Sequence, residues 1–180
     1  EWSTENLNVD HFNNGDEIQQ VESAEDWLKC LENKTPAWCY YDNDPVKGDT
    51  YGKLYNAFAV MDVRGIAPEG WHIPTAEQWS ELVEFLGGAS TGKLLKSSSG
   101  WLEDGNGTDI HSFGALPGGY RTPASASYKY LGEYGFWWSA SQVSKINKSP
   151  WAYYMSSDNA EVDRSGYNPL CGFSVRCVKN

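Results

Sequence analysis

Hydrophobic residues recur at helical spacing in two short segments of the chain. In the clearer one, Thr75 and Gln78 stand at the spacing of a capping box, and Gly87 and Gly88 follow as a stop signal. The hydrophobic positions between them fall on one helical face: Trp79, Leu82, Val83 and Leu86. The pattern predicts a helix that packs this stripe on the core.

The second helical segment lies near the amino terminus. Ser23 is its predicted N-cap, with Glu25 and Asp26 in the first turn and Pro36 beyond its end. We expect this helix to bury three hydrophobic residues: Trp27, Leu28 and Leu31. Residues 51–61, YGKLYNAFAVM, fit either a strand or a helix, and we favour a helix.

Alternation of hydrophobic and polar positions, which is typical of strands, is concentrated in the last third of the chain. Residues 151–155 predict a strand, 157–159 a turn and 160–164 a returning strand. Residues 173–178 predict a further strand with one face on the core and one in solvent. Between them, residues 165–171 have no period, so we expect a loop held between two strands, where recognition often occurs.

Large aromatic side chains mark the predicted core. We expect one buried cluster that contains Trp71, Trp79, Trp137, Trp138 and Phe173. Residues 90–121 are mostly Gly, Ser and Asn turns, which predicts a long loop pinned by a few aromatic residues.

Composition limits the class of protein. The 180 residues predict one domain, and the 9 Trp, 11 Tyr and 18 Gly favour short strands and structured turns over a helical bundle. The net charge of -10 argues against a nucleic-acid partner, because a phosphate-binding surface needs clustered Lys and Arg. No apolar run is long enough to predict direct membrane insertion.

Candidate catalytic and metal-binding residues are few. The three His residues, 11, 72 and 111, are isolated, and we expect His72 to be packed and hydrogen-bonded. Cys30, Cys39, Cys171 and Cys177 match no zinc spacing and leave disulfides open. Residues 104–109, DGNGTD, place oxygen ligands at alternate positions; we favour a solvated turn, with calcium as the alternative. No catalytic residue and no firm metal site or cofactor is predicted.

Seven phrases, in order along the chain, resemble one family: WSTENLNV, PAWCYYDND, YGKLYNAFAV, APEGWHIPTAEQWSEL, ALPGGYR, GFWWSAS and GFSVRCV. They are similar to the Fibrobacter succinogenes major paralogous domain, found in many Bacteroidetes surface and phage proteins. The resemblance implies an α+β domain of the C-type lectin-like fold, on its formylglycine-generating-enzyme branch. Two helices would flank twisted, mostly antiparallel sheets, with the two chain ends close together.

The resemblance also implies a function. The expected role is a non-catalytic adhesin or receptor-binding domain, extracellular on a cell surface or virion, with a protein or glycan ligand. Such domains resemble the variable proteins of diversity-generating retroelements, which are diversified near the carboxyl terminus. We therefore expect a display region at about residues 151–171.

The ligand-binding residues expected in that region form one exposed patch: Tyr153, Ser156, Ser157, Ser165, Tyr167, Asn168, Leu170 and Cys171. Val162, Phe173, Val175 and Cys177 should point inward. One alternative is an oxidase-like enzyme of the formylglycine-generating type, which needs a reactive cysteine pair. That pair is not recognised here, because Cys39 and Cys177 stand in phrases of the family's own pattern, where we expect small buried residues. A purely structural surface module is the other alternative.

Overall fold

A computed structural model describes residues 1–144 and 149–180 of the chain. Its α-helices are α1 (Ala24–Asn33), α2 (Pro45–Tyr51), α3 (Ala57–Val60), α4 (Ala76–Phe85) and α5 (Gly92–Leu95). Its strands are β1 (Gln19–Gln20), β2 (Ala37–Cys39), β3 (Leu54–Tyr55), β4 (Trp71–His72), β5 (Gly118–Arg121), β6 (Tyr128–Leu131), β7 (Tyr134–Gln142), β8 (Pro150–Ser156), β9 (Asp163–Gly166) and β10 (Val178–Lys179).

The strands form three sheets within these described residues. The largest has the order β6-β5-β7-β8-β9, in which only β5 and β7 run parallel. A second sheet joins β1, β2 and β3, and a third pairs β10 with β4 near the two chain ends. Helices and mostly antiparallel sheets give the α+β class predicted from the sequence.

Both predicted helix starts are confirmed. Ser23 Oγ accepts a hydrogen bond from the Asp26 amide, and Thr75 and Gln78 form a reciprocal capping box at the start of α4. On α1, however, Trp27 and Cys30 are buried whereas Leu28 and Leu31 are exposed. The prediction of their burial is wrong because only a narrow row of this helix faces the core.

The single helix predicted over residues 51–61 is wrong in part. Helix α2 ends at Tyr51, the chain extends through β3, and α3 then begins after Asn56. Gly52 allows the break because it adopts φ 74° beside Asn6 and Leu7, where a Cβ would crowd the backbone. The Asn56 side chain caps α3 at Ala59 and also bonds to Ala37 and Thr35.

The predicted aromatic residues are buried, except Trp71, which is half-buried, but they do not form one core. Trp137 and Trp138 are neighbours in β7, and strand alternation sends them to opposite faces of the sheet. Trp138 and Phe173 belong to one hydrophobic cluster, whereas Trp79 and Trp137 belong to another. The large sheet therefore separates two cores.

The carboxyl-terminal segment is buried on both sides, contrary to the prediction of one solvent face. Every residue from Leu170 to Val178 is buried. Phe173, Val175 and Cys177 point into the first cluster, as expected. Arg176 points the other way, where its guanidinium donates hydrogen bonds to Asn6 Oδ1 and to backbone carbonyls of Ser3, Phe113 and Gly114. The amino-terminal segment thus covers the face that was expected to meet water.

Candidate functional site

Strand β8 lies between β7 and β9 and presents its side chains to both faces of the large sheet. Tyr153 points into the second cluster, stacks on Trp79 with ring centroids 4.9 Å apart, and donates a hydrogen bond to the Ala76 carbonyl at 2.7 Å. Its exposure is 3%. The prediction that Tyr153 is exposed is therefore wrong. The neighbouring Tyr154 faces the opposite side of the sheet and is half-buried.

Tyr154 belongs to a group of tyrosines that we call the tyrosine face: Tyr120, Tyr130, Tyr134, Tyr154 and Tyr167. They come from β5, β6, β7, β8 and the segment after β9, and they surround buried Phe136 and Phe173. Adjacent rings lie close together: Tyr130 and Tyr134 are 5.0 Å apart, and Tyr154 is 6.4 Å from both Tyr134 and Tyr167. The topology thus joins residues that are distant in sequence into one aromatic surface.

The rings of the tyrosine face are partly open to solvent. Tyr130 is 45% exposed and the other four are half-buried. Within the described residues, none of their hydroxyl groups makes a hydrogen bond to another residue, in contrast to Tyr55, Tyr128 and Tyr153. Amphipathic rings with free hydroxyl groups are suited to contacts with a macromolecule.

Burial and nearby charge raise the pKa of the hydroxyl groups of Tyr134, Tyr154 and Tyr167. Partial burial raises the pKa of Tyr154, and the Asp163 carboxylate raises it further. The pKa of Tyr134 is raised by burial and then by Asp158, and that of Tyr167 mainly by burial. The neutral hydroxyl groups can therefore act as hydrogen-bond donors.

The predicted ligand-binding residues divide into two groups. Ser165 and Asn168 are exposed, and Ser157 and Tyr167 are half-buried. The expected exposure is wrong for Tyr153, Ser156, Leu170 and Cys171, which are at most 4% exposed. The eight residues therefore do not form one solvent-facing patch.

Local packing explains why the last residues of the display region are buried. Asn168 Oδ1 accepts the Leu170 amide hydrogen bond, which closes a tight turn and directs the following residues inward. Leu170 then packs in a third cluster with Trp27, whose indole donates to the Leu170 carbonyl at 2.9 Å. Cys171 packs against the first cluster. Leu170 and Cys171 are therefore core residues, although the segment that contains them has no hydrophobic periodicity.

The hairpin boundaries also differ from prediction. Strand β9 begins at Asp163, three residues after the predicted start, and continues through Ser165 and Gly166. Its register pairs Tyr154 with Asp163 and Ala152 with Ser165. Asp163 and Ser165 therefore lie on the side of the sheet that carries Tyr154.

The acidic loop at residues 104–109 lies beside a buried lysine. Asp104 and Asp158 line a cleft of about 240 Å³ together with Lys96, whose ammonium donates to the carbonyls of Ser156 and Asn159. No three His, Cys, Asp or Glu side chains in the described segments converge on a potential metal position. The solvated turn favoured for this loop, with calcium binding as its alternative, stays a prediction.

The four thiols are free and buried. Burial raises the pKa of Cys177 to about 11 and that of Cys171 to about 12, and it also raises the pKa of Cys30 and Cys39. A reactive cysteine needs access and a lowered pKa. His72 is hydrogen-bonded to Gln78 and Asn180, as the sequence predicted.

The tyrosine face was not found from the sequence. Alternation in β8 shows that Tyr153 and Tyr154 face opposite ways, but it does not show which of them faces the core. The deciding contact is Tyr153 with Trp79, 74 positions away on α4. Such a contact is set by the tertiary fold.

Comparisons with known proteins place the chain in a family. The sequence model of the Fibrobacter succinogenes major domain matches residues 1–179, while searches of curated proteins and of solved structures find no match. No helix of the described residues is long and apolar enough to cross a membrane. This match over nearly the whole chain shows that the protein belongs to the Fibrobacter succinogenes major domain family.

Proposed function

We propose that this chain is a non-catalytic ligand-binding domain of the C-type lectin-like type, which recognises a protein or glycan ligand through the tyrosine face. The observation that carries the proposal is the group of partly exposed tyrosines whose hydroxyl groups bond to no other residue in the described parts of the chain. Tyr residues give large contact area at low entropy cost and are enriched where binding energy is concentrated. The adjacency of the chain ends, with Trp2 bridged to Val178, supports the fold assignment.

We limit the proposed display region to the members that reach solvent: Ser165 and Asn168, which are exposed, and Ser157 and Tyr167, which are half-buried. Tyr167 belongs to the tyrosine face, and Ser165 lies on the same side of the sheet as Tyr154. Diversification by a retroelement is proposed for these positions, in a domain carried on a cell surface or virion. A neighbouring reverse transcriptase gene with a near-repeat of the coding region for residues 151–178 would support it, and a locus without either would contradict it.

The binding function is tested with alanine variants at Tyr154 and Tyr167. Binding of the wild-type domain and of each variant is measured on immobilised glycans and on intact bacterial and mammalian cells. We expect each variant to lose at least about tenfold in affinity for the surface that the wild type binds. Phe85→Ala is the matched control, because Phe85 is an 84% exposed aromatic residue on α4.

A thermal unfolding measurement shows whether each variant is folded. Tyr154→Phe provides a second probe, since it keeps the ring and removes only the hydroxyl group. Equal losses for Phe85→Ala and Tyr154→Ala would contradict a specific role for the tyrosine face.

An oxidase-like enzyme is the rival function, and its test uses Cys39→Ala and Cys177→Ala. A binding domain should lose only stability in these variants. Thiol-dependent turnover by the wild type, lost in a folded variant, would favour the enzyme. The raised thiol pKa values and the burial of the four thiols support the binding domain.

A further inference from the structure

The tyrosine face has an acidic border. Asp163 pairs with Tyr154 across β8 and β9, so its carboxylate lies on the same side of the sheet as the ring. Glu133 precedes Tyr134, and the Glu133 carbonyl accepts the Ser157 amide at 2.7 Å, which brings Asp158 to the same edge. Asp163, Glu133 and Asp158 are exposed. Carboxylates therefore stand at two sides of the aromatic surface.

Positive charge balances only part of this border: Lys96 lies in one cleft with Asp158, where its ammonium donates to the Ser156 and Asn159 carbonyls. Lys129, which pairs with Tyr120, is an exposed cation on the edge strand β6, at the end of the sheet away from Asp163 on β9. Arg164 is turned away, because its guanidinium lies over the Trp151 ring and donates to Tyr153 on the other side of the sheet. The whole chain carries a net charge of -10. Among the described residues, Asp163 forms no ion pair beside Tyr154, so this part of the face favours a cationic partner.

Most neighbouring rings of the tyrosine face are inclined to one another, whereas Tyr120 and Tyr130 stack with an angle of 25° between their planes. The planes of Tyr154 and Tyr167 differ by 89°, those of Tyr130 and Tyr134 by 49°, and those of Tyr134 and Tyr154 by 42°. A sugar chain stacks best on coplanar rings. Inclined rings instead offer their negative faces to a compact cation from several directions.

We propose that the tyrosine face binds a protein segment that presents arginine or lysine side chains. The inference rests on the binding function proposed above and specifies its ligand. A guanidinium stacks on an aromatic ring and also donates hydrogen bonds to a carboxylate, so Tyr154 with Asp163 forms a two-part receptor for one basic side chain. Tyr134, which interacts electrostatically with both Asp158 and Glu133, forms a second. Sialylated or sulfated glycans would be repelled by the same carboxylates.

The test uses three defined probes of similar length. An oligopeptide of alternating Gly and Arg is compared with its Gly and Glu counterpart and with a neutral cello-oligosaccharide. Amide resonances of the labelled domain are followed during titration. We expect the arginine peptide to shift the resonances of Tyr154, Asp163 and Tyr167 saturably, and to bind more weakly by about tenfold when NaCl is raised to about 0.5 M.

Charge and aromatic variants then identify the groups responsible. Asp163→Asn and Glu133→Gln should each raise the dissociation constant of the arginine peptide about threefold, and Tyr154→Ala at least as much. Glu84→Gln is the control for the carboxylates, since Glu84 is exposed on α4, and Phe85→Ala is the control for the ring. Both control substitutions should leave the dissociation constant of the arginine peptide unchanged.

The outcomes separate the ligand class from the binding function. If the cello-oligosaccharide shifts the same resonances and the arginine peptide does not, the cationic ligand is excluded while binding by the tyrosine face stands. Equal binding of the arginine and glutamate peptides, or no shift with any probe, also overturns the cationic ligand. If Tyr154→Ala and Tyr167→Ala change binding to no cell or glycan surface that the wild type binds, the proposed function itself fails.

Discussion

Buried cationic side chains in this domain donate hydrogen bonds to backbone carbonyl groups. Arg121, Arg176 and Lys96 are at most 2% exposed, and their hydrogen-bond acceptors are mainly backbone carbonyls of irregular segments. Arg121 bonds to Val21, Glu22, Ser23 and Ala126, in addition to lying over the Trp27 ring at 4.5 Å. A fork of several N–H donors can satisfy carbonyls that no sheet or helix reaches.

Removal of one such cation tests this role. In Arg176→Met the volume is roughly kept, but carbonyls of Ser3, Phe113 and Gly114 lose their donor. Each unsatisfied buried acceptor costs about 1–3 kcal/mol, so we expect the free energy of unfolding in urea to fall by about 3 kcal/mol. Lys29→Met, at an exposed residue of α1, is the control and should cause no measurable change. An equally small effect for Arg176→Met would show that these bonds contribute nothing.

The thiol of Cys177 predicts a dependence of stability on pH. Its pKa is raised by burial to about 11 from 9.0. Below pH 9 the thiol is protonated in both states; above it, the unfolded chain ionises first, so stability falls as pH rises from about 9 to 11. At pH 10 this group alone removes about 1 kcal/mol.

Urea unfolding of the wild type and of Cys177→Ala at pH 8 and pH 10 measures the effect. The alanine variant is less stable at both pH values, but its loss between them should be smaller by about 1 kcal/mol. A loss between pH 8 and pH 10 as large as that of the wild type would place the titration elsewhere, for example on the buried tyrosines.

At the scale of elements, the sequence predicts what is determined locally. The N-caps Ser23 and Thr75 are correct because a cap involves only the next three residues. The break after α2 was not predicted because Gly52 and Asn56 contact residues from distant parts of the chain, and the start of β9 was not predicted because it is set by the pairing with β8. The exposure of the candidate site residues was predicted wrongly in four of eight cases for a similar reason, because the face that each residue occupies depends on which cluster receives it.

Because β8 directs Tyr153 and Tyr154 to opposite faces of the sheet, the contributions of these two residues to stability can be compared directly. Tyr153→Ala removes a ring stacked on Trp79 and a hydrogen bond to Ala76, so we expect it to lower the free energy of unfolding by about 3–5 kcal/mol. Tyr154→Ala, on the half-exposed side, should cost about 1 kcal/mol. Chemical denaturation of both variants measures the difference. Equal losses, or a larger loss for Tyr154→Ala, would mean that β8 faces the other way.

At the scale of the whole molecule, the two ends of the chain close the structure together. The Ser3 amide donates to the Cys177 carbonyl at 2.8 Å, the Leu7 amide to Val175 at 2.8 Å, and the Lys179 amide to Glu1 at 2.9 Å. Trp2 packs edge-on against Trp79 at 4.7 Å and lines an apolar cleft of about 350 Å³. The amino-terminal segment therefore connects the carboxyl-terminal strand to the second cluster.

Because these contacts join the two chain ends to the second cluster, we expect the domain to unfold as one unit. Trp2→Ala should lower the free energy of unfolding by about 2 kcal/mol, less than for a fully buried Trp because Trp2 is half-buried. Transitions followed by Trp fluorescence and by far-ultraviolet circular dichroism should coincide in both the wild type and the variant. Lys179→Ala is the matched control, since it removes only an exposed ion pair with Glu1 and should leave the midpoint unchanged. Two separated transitions in the wild type would mean that the two clusters fold independently, and that the termini do not join them.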